Sequence, residues 1–353
     1  WGAFLFPTAV AYFVLLFNVF WFYKSIAIAA ASIISHIRMQ AAEKYPWFED
    51  LKKLPDWHKL HHVVIVPTVN EPVHILERTL LSLQNQTFPS KQITVVIAEE
   101  AKANVDHRKL LESTLKEKFN HVFGNLFFTV HTLQPGEVVG KSSNERYAGI
   151  WVKKKLVDEM EYDLDFMTVT ACDADHAYHP KHFAYLGFKF LTNPHRYNRF
   201  WQPAVMFYNN FWRLPPMSRV ANTFGSIWNM ALLSRTDRLL NCANYSASFK
   251  MIHEVGYWDP DVIPEDYRIF FKAFFALEGD LEVEPIFLPL YADAAESTSW
   301  WKTMINQYEQ FKRWAWGVSD DPYIIKHYFL ANFHSFWDKT IRVVRIIEDH
   351  FLW

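Results

Sequence analysis

The stretch DFMTVTACDADH, Asp165–His176, runs from an apolar, β-branched segment into two aspartates. The first part reads as a buried strand, and the acids fall where it ends. On a still-extended backbone, side chains at i and i+2 point the same way, so Asp173 and Asp175 are expected to share a direction. Two such carboxylates, with water and phosphate oxygens, suit Mg2+ or Mn2+, which take hard oxygen ligands. A D-x-D on its own is common in loops. Its place behind an apolar strand gives it weight.

Working outward, the pattern around this strand repeats. His61–Pro67 and Gln92–Glu100 read as buried strands, and Leu126–Thr132 as a third. Between them lie helical stretches at Pro72–Gln86, around Asp106–Lys118, and at Asn144–Met160. Alternation at this spacing implies a doubly wound, mostly parallel α/β sheet. In such sheets ligands bind beyond the carboxyl ends of the strands. The residues to watch are therefore Thr68–Glu71, Glu99 and Glu100, and Asp173–His176. After Phe200 the alternation loosens. Arg199–Trp212 and Leu281–Asp293 read as strands, and Ser218–Ser234 and Pro264–Gly279 as helices. Asp338–Trp353 reads as an amphipathic helix with Ile341, Val344, Ile347 and Phe351 near one face. It suits either a membrane surface or the globular domain.

The N-terminus carries a different signal. Trp1–Tyr23 contains no charged residue. As a helix it would be roughly 30 Å long or more at 1.5 Å per residue, enough to cross a bilayer core. Trp1, Trp21 and Tyr23 sit at its ends, where an aromatic belt belongs. Lys24 follows, then a second apolar stretch, Ser25–Ile37, then Arg38, Lys44, Lys52 and Lys53, cations that favour a cytoplasmic location for what comes next. The chain begins at Trp1 rather than Met, as a processed or truncated chain would.

Composition excludes some classes. The 353 residues carry a formal net charge of −2, so no basic field argues for nucleic acid as a partner. Aromatics reach 18%, which suits a membrane interface or a ligand-rich cleft. Cys172 and Cys242 have neither metal spacing nor a disulfide framework, which fits a reducing compartment.

Four motifs occur in order: VPTVNEP (Val66–Pro72), the DADH already noted (Asp173–His176), PED (Pro264–Asp266) and QFKRW (Gln310–Trp314). Behind an apolar helix, this ordered set resembles the membrane-bound family 2 glycosyltransferases of the GT-A fold, especially cellulose synthase and related processive β-glycan synthases. The resemblance covers roughly residues 61–317. It implies an inverting transfer of a sugar from a nucleotide-diphosphate donor, a UDP-sugar in the first instance, to a saccharide acceptor. It implies Asp173 and Asp175 as metal and diphosphate ligands, Asp266 as general base, and Gln310, Arg313 and Trp314 beside the diphosphate and acceptor. Lys141, in GKSSN, corresponds to a lysine near the nucleotide. Thr68, Asn70, Glu71, Glu99 and Glu100 fall where the family holds base and ribose.

The chain also departs from that pattern. Glu99 and Glu100 replace a pair of aspartates, Val69 replaces a tyrosine, Pro264 replaces the threonine of T-E-D, and Phe311 stands second in the QFKRW motif. A run of C-terminal membrane helices is expected of a polymer-secreting synthase: either it lies beyond these 353 residues, or the chain does not secrete its product alone. Single transfer to a lipid or polyprenyl-phosphate acceptor is the neighbouring alternative. An inactive scaffold subunit working with other membrane subunits is the alternative from another class. The resulting division is a transmembrane helix and membrane-proximal segment at 1–37, a linker at 38–60, a GT-A domain at 61–318 and interface helices at 319–353, with the catalytic domain at the cytoplasmic face of the cell membrane. Within QYEQFKRWAWG, Trp301, Met304, Tyr308, Phe311 and Ala315 form an apolar stripe expected to bury the helix, while Gln310, Arg313, Trp314 and Gly317 face the cleft.

Overall fold

In the computed structural model, which describes residues 2–331 and 336–351, the N-terminal apolar segment is one unbroken helix, α1 (Pro7–Lys44). A short turn at Gly2–Leu5 precedes it, and Pro7 opens the long helix at a position where a missing N–H costs nothing. Two spans divided at Lys24 are thus a single rod of about 57 Å, because Ser25–Ile37 holds nothing that breaks a helix. α1 is long and apolar enough to cross a membrane, and none of its most apolar window is buried. Its buried residues lie in the second half, Ala31, Ser32, Ser35, Met39 and Ala42, and at its middle Lys24 pairs with Glu348 at 3.2 Å.

Then follow β1 (His61–Thr68), α2 (Val73–Gln84), β2 (Ile93–Glu100), α3 (Val105–Phe119), β3 (Asn125–His131), α4 (Lys141–Val152), β4 (Met167–Ala171), β5 (Ala177–Tyr178), α5 (His182–Thr192), β6 (Arg199–Met206) and α6 (Pro216–Leu233). β7 (Tyr245–Ser248), α7 (Glu265–Ala276), β8 (Glu282–Tyr291), α8 (Trp300–Ala315), α9 (Asp321–Leu330) and α10 (Phe336–Phe351) follow, with short helices also at Trp47–Leu51 and Phe249–Glu254. The sheet order is β3-β2-β1-β4-β7-β6-β8-β5. β3, β2, β1 and β4 run parallel, as the alternation predicts. β7 enters antiparallel between β4 and β6, so the sheet is mixed in its second half.

Strand alternation splits the core in two. Val63 and Ile65 of β1 join Val96, Ala98, Phe200, Trp258 and Phe270 on one face. Val64 and Val66 join Val95, Ile97, Leu111, Phe183 and Trp201 on the other. A strand buried on both sides reads as a continuous apolar run, which is why β1 and β2 were plain in the sequence. The parallel register pairs Thr68 with Glu99 and Glu100 with His131, so the strands end at one level.

Two amphipathic readings reverse. In α10 the buried residues are Val343 and Ile346, while Ile341, Val344 and Phe351 are exposed. The helix packs through a neighbouring stripe, with Ile347 of the expected one still against the core, and turns the other three outward. In α8 the apolar stripe is also outside, with Trp301 72% and Tyr308 66% exposed. The buried positions are Thr303 and Gln307. The cause is a polar seam: Asn222 of α6 donates to Gln307 Oε1 at 2.7 Å, and Ser297 N–H donates to Thr303 Oγ1 at 3.0 Å. A buried amide with its partner in place holds this face down as firmly as an apolar one.

Candidate active site

The carboxyl ends of the parallel strands carry the chemistry. β4 stops at Ala171, and Asp173, Asp175 and His176 lie in the turn beyond it. The two aspartates therefore converge through a turn and not through strand alternation. One donor atom from each of Asp173, Asp175 and His176 lies within 4.8 Å of the others. His176 Nδ1 is 2.8 Å from Asp175 Oδ1, while its Nε2 is buried without a partner. Burial opposes ionisation of Asp175, but His176 outweighs it and holds the carboxyl below its usual value.

Lys141, the first residue of α4, is the hub. Its Nζ lies 2.9 Å from Asp173, 3.0 Å from Glu265 and 3.7 Å from Glu145, and it donates to the Ala243 carbonyl at 2.8 Å. Burial alone would depress this ammonium, yet Asp173, Glu265 and Glu145 together hold its pKa well above the usual lysine value. Ala243 links the hub to Asp266, because its N–H donates to Asp266 Oδ2 at 3.1 Å. Ala243 sits in the left-handed region at φ 52°, a strained setting for a residue with a Cβ, and is held at both ends of its peptide units. Asp266 Oδ1 accepts from the Tyr267 N–H at 2.9 Å. Burial raises the Asp266 carboxyl despite Lys141 and these two donors. Glu265 is pushed up to about 7 by burial, against the pull of Lys141.

A cleft of about 320 Å³ adjoins the hub and is lined by Asp175, Asp293, Glu296, Asn306, Glu309, Gln310 and Arg313 among others. Arg78 braces its floor, donating to the Asp175 carbonyl at 3.0 Å and pairing with Asp293 at 2.8 Å. Arg313 is exposed here, and among the described residues no ion pair or hydrogen bond occupies it. Gln310 accepts from Gln307 at 2.9 Å. Trp314 stands aside, its ring 6.0 Å from Phe207 and 5.4 Å from Phe311. Gly317, expected to leave room in the cleft, is buried instead. A Cβ there would meet His350 at 3.0 Å and Tyr267 at 3.3 Å, so this glycine lets the end of α8 close onto the residue after Asp266.

Not every expected residue gathers here. Glu99 and Glu100 point to opposite faces of β2. Arg108 of α3 is the charge that draws on Glu99, which burial pushes up to about 7, while Glu100 pairs with Lys102 at 2.7 Å. Glu71 accepts from Thr68 Oγ1 at 2.6 Å and Val69 N–H at 2.7 Å, and Asn70 is exposed. Among the described residues, no hydrogen bond or ion pair joins these five to Lys141. Conversely, Glu145 went unnoticed in the sequence. Its signal was its place four residues after Lys141, on the same helical face.

No protein-family model matches the chain, and no curated protein matches it in sequence. Among solved structures, residues 1–349 of TarS from S. aureus in complex with UDP-GlcNAc match at 15% identity and a TM-score of 0.52, over 83% of this chain and 73% of that one. The fold is that of the GT-A glycosyltransferases. The same TarS segment without a named ligand gives a TM-score of 0.51 at 15% identity, over 83% of this chain and 72% of that one. The mannosyltransferase PcManGT from Pyrobaculum calidifontis, in complex with GDP-Man and Mn2+, matches at 13% identity and a TM-score of 0.48, over 93% of this chain and 85% of that one.

Proposed function

We propose that the chain is a metal-dependent, inverting glycosyltransferase of the family 2 type, taking a UDP-sugar donor and a saccharide acceptor at the cytoplasmic face of a membrane that α1 crosses, with polysaccharide synthesis as its role. The observation that carries this reading is the gathering of Lys141, Asp173, Glu265 and Asp266 at the carboxyl edge of a GT-A sheet, beside a cleft that holds Asp175 and Arg313.

Asp173 and Asp175 offer hard oxygens for Mg2+ or Mn2+, and the buried, unpartnered Nε2 of His176 leaves a third donor in the same turn. The donor set fits such an ion, which when bound neutralises charge on a leaving diphosphate. Arg313 brings a second positive charge from the opposite wall of the cleft. Asp266 takes the acceptor hydroxyl proton as the hydroxyl attacks the anomeric carbon. Its two backbone donors fix the carboxylate, and burial lifts its affinity for that proton. Attack from the face opposite the diphosphate inverts the anomeric centre without a covalent enzyme intermediate.

Transfer to a lipid-linked acceptor is the second reading. It is favoured by Trp301, Ile305 and Tyr308, exposed on α8 next to the cleft residues Asn306, Glu309 and Gln310. Turnover of a panel of UDP- and GDP-sugars with Mg2+ or Mn2+, in nanodiscs, tests the proposal. Activity on one donor is expected, and the product's length and extractability separate the two acceptors. A chain that neither binds nor turns over any donor overturns the enzyme reading in favour of a scaffold.

A further inference from the structure

The Lys141 hub holds more acid than its one ammonium can pair. The three protons of Lys141 have three acceptors close by: Asp173 at 2.9 Å, Glu265 at 3.0 Å and the Ala243 carbonyl at 2.8 Å. Glu145 is left over. It is fully buried, neither of its oxygens has a hydrogen-bond donor, and its nearest cation is Lys141 at 3.7 Å. An unpaired buried carboxyl is expensive, so a position that keeps one calls for a reason. Asp173 meanwhile has its Oδ1 covered by an ammonium, although the turn around it fits a divalent ion.

We infer that Lys141 fills the cation position at Asp173 in the resting site, and that Glu145 is the counter-ion to which it moves when a divalent cation binds there. The inference rests on the metal reading above. The two cations compete for one carboxylate, and their repulsion at a few ångströms drives the lysine away. Glu145 lies four residues along the same helix face, so the ammonium needs to move only about 0.9 Å to make a hydrogen bond of ordinary length. Glu265 stays within reach throughout and serves as the pivot. In the resting site burial holds the Glu145 carboxyl well above its usual value, and the arriving ammonium ionises it, the proton leaving to solvent. Glu145 is thus a positioning residue. It touches neither donor nor metal and acts through Lys141.

The test is Mn2+ binding to the purified full chain in detergent without donor, read by the electron paramagnetic resonance of free Mn2+. Lys141→Met removes the competitor and is expected to tighten Mn2+ binding about fivefold. Glu145→Gln removes the retreat and is expected to weaken it about threefold, an effect that vanishes in the Lys141→Met background because the two residues act as one unit. Weaker binding in Lys141→Met, or an equal Glu145→Gln effect in both backgrounds, overturns the inference while leaving the metal reading in place. Wild-type chain that binds no Mn2+ overturns both. If Glu145→Gln does not fold, Glu145→Asp, whose carboxyl stops short of the lysine, is expected to weaken binding in the same direction, and the sign of the Lys141→Met change decides alone.

Discussion

The Lys141 hub and the Arg313 cleft adjoin one another yet are built in opposite ways. The hub is buried, crowded with carboxyls, and shares one ammonium among three of them. The cleft is open. Its acids are matched at the rim, with Arg213 on Glu296 at 3.0 Å and Lys312 on Glu309 at 3.3 Å, while Arg313 extends unpaired. Charges in the hub are little screened and strongly coupled, whereas those in the cleft are screened by water. The hub is therefore expected to control proton affinity and cation binding, and the cleft to steer and hold the anionic part of a substrate.

The widest contrast is expected in turnover. Asp266→Asn removes the base without changing shape, and steady-state assays should show a loss of about 10²–10⁴-fold with donor affinity unchanged. Loss of donor binding instead would place Asp266 among the binding groups. Arg313→Ala is expected to lower kcat/KM by about 10–100-fold, because an open, hydrated cation contributes less than a buried one. Its melting temperature should match wild type, since surface changes cost within about 0.5 kcal/mol. A large stability loss would show that Arg313 has a structural partner after all.

Stability against pH sharpens the comparison from the hub side. Glu265 is raised to about 7 in the folded chain. An acid with a raised folded pKa binds more protons folded than unfolded across that interval, so stability falls as pH rises from about 4.5 to about 7. Glu99, also raised to about 7, and Asp320, raised to about 6, add in the same direction. Buried His61 and His182, lowered to about 4 and about 3, act the other way below about pH 6.5. The Glu265 share is therefore read as the stability difference between wild type and Glu265→Gln, which should fall between pH 5 and 8 in thermal melts. An unchanged difference would assign the dependence to Glu99 and Asp320. The smallest effect is expected at Trp301→Ala on the outer face of α8, where melting in detergent should not change although quenching of tryptophan fluorescence by brominated lipid in nanodiscs should lessen. Equal quenching would take α8 away from the lipid surface.

Structure is most legible in the sequence where a residue's surroundings are set by chain neighbours alone. β1 and β2 were legible because both faces of each strand are covered, leaving an unbroken apolar run. Lys141, Asp173 and Asp266 were picked out and do share one cluster, and Gln310 and Arg313 do reach one cleft with Asp175. The helices α8 and α10 were misread because periodicity reports that a helix has two faces, not which one is covered. In α8 the Asn222–Gln307 bond decided the matter, and neither residue is apolar. Glu145 stayed hidden because a single glutamate in a helix is ordinarily a solvated one.

By itself, then, the sequence determined the alternation of strands and helices, the apolar N-terminal rod, and which residue types stand at the ends of the strands, since each follows from local periodicity and chain position. Tertiary structure alone decided that β7 enters antiparallel, that α8 turns its aromatic stripe outward, and that three carboxyls from three separate segments close around one lysine. Those outcomes depend on pairings between residues up to 124 positions apart, as in Lys141 with Glu265, where the energy of burial and charge is settled only once the segments meet.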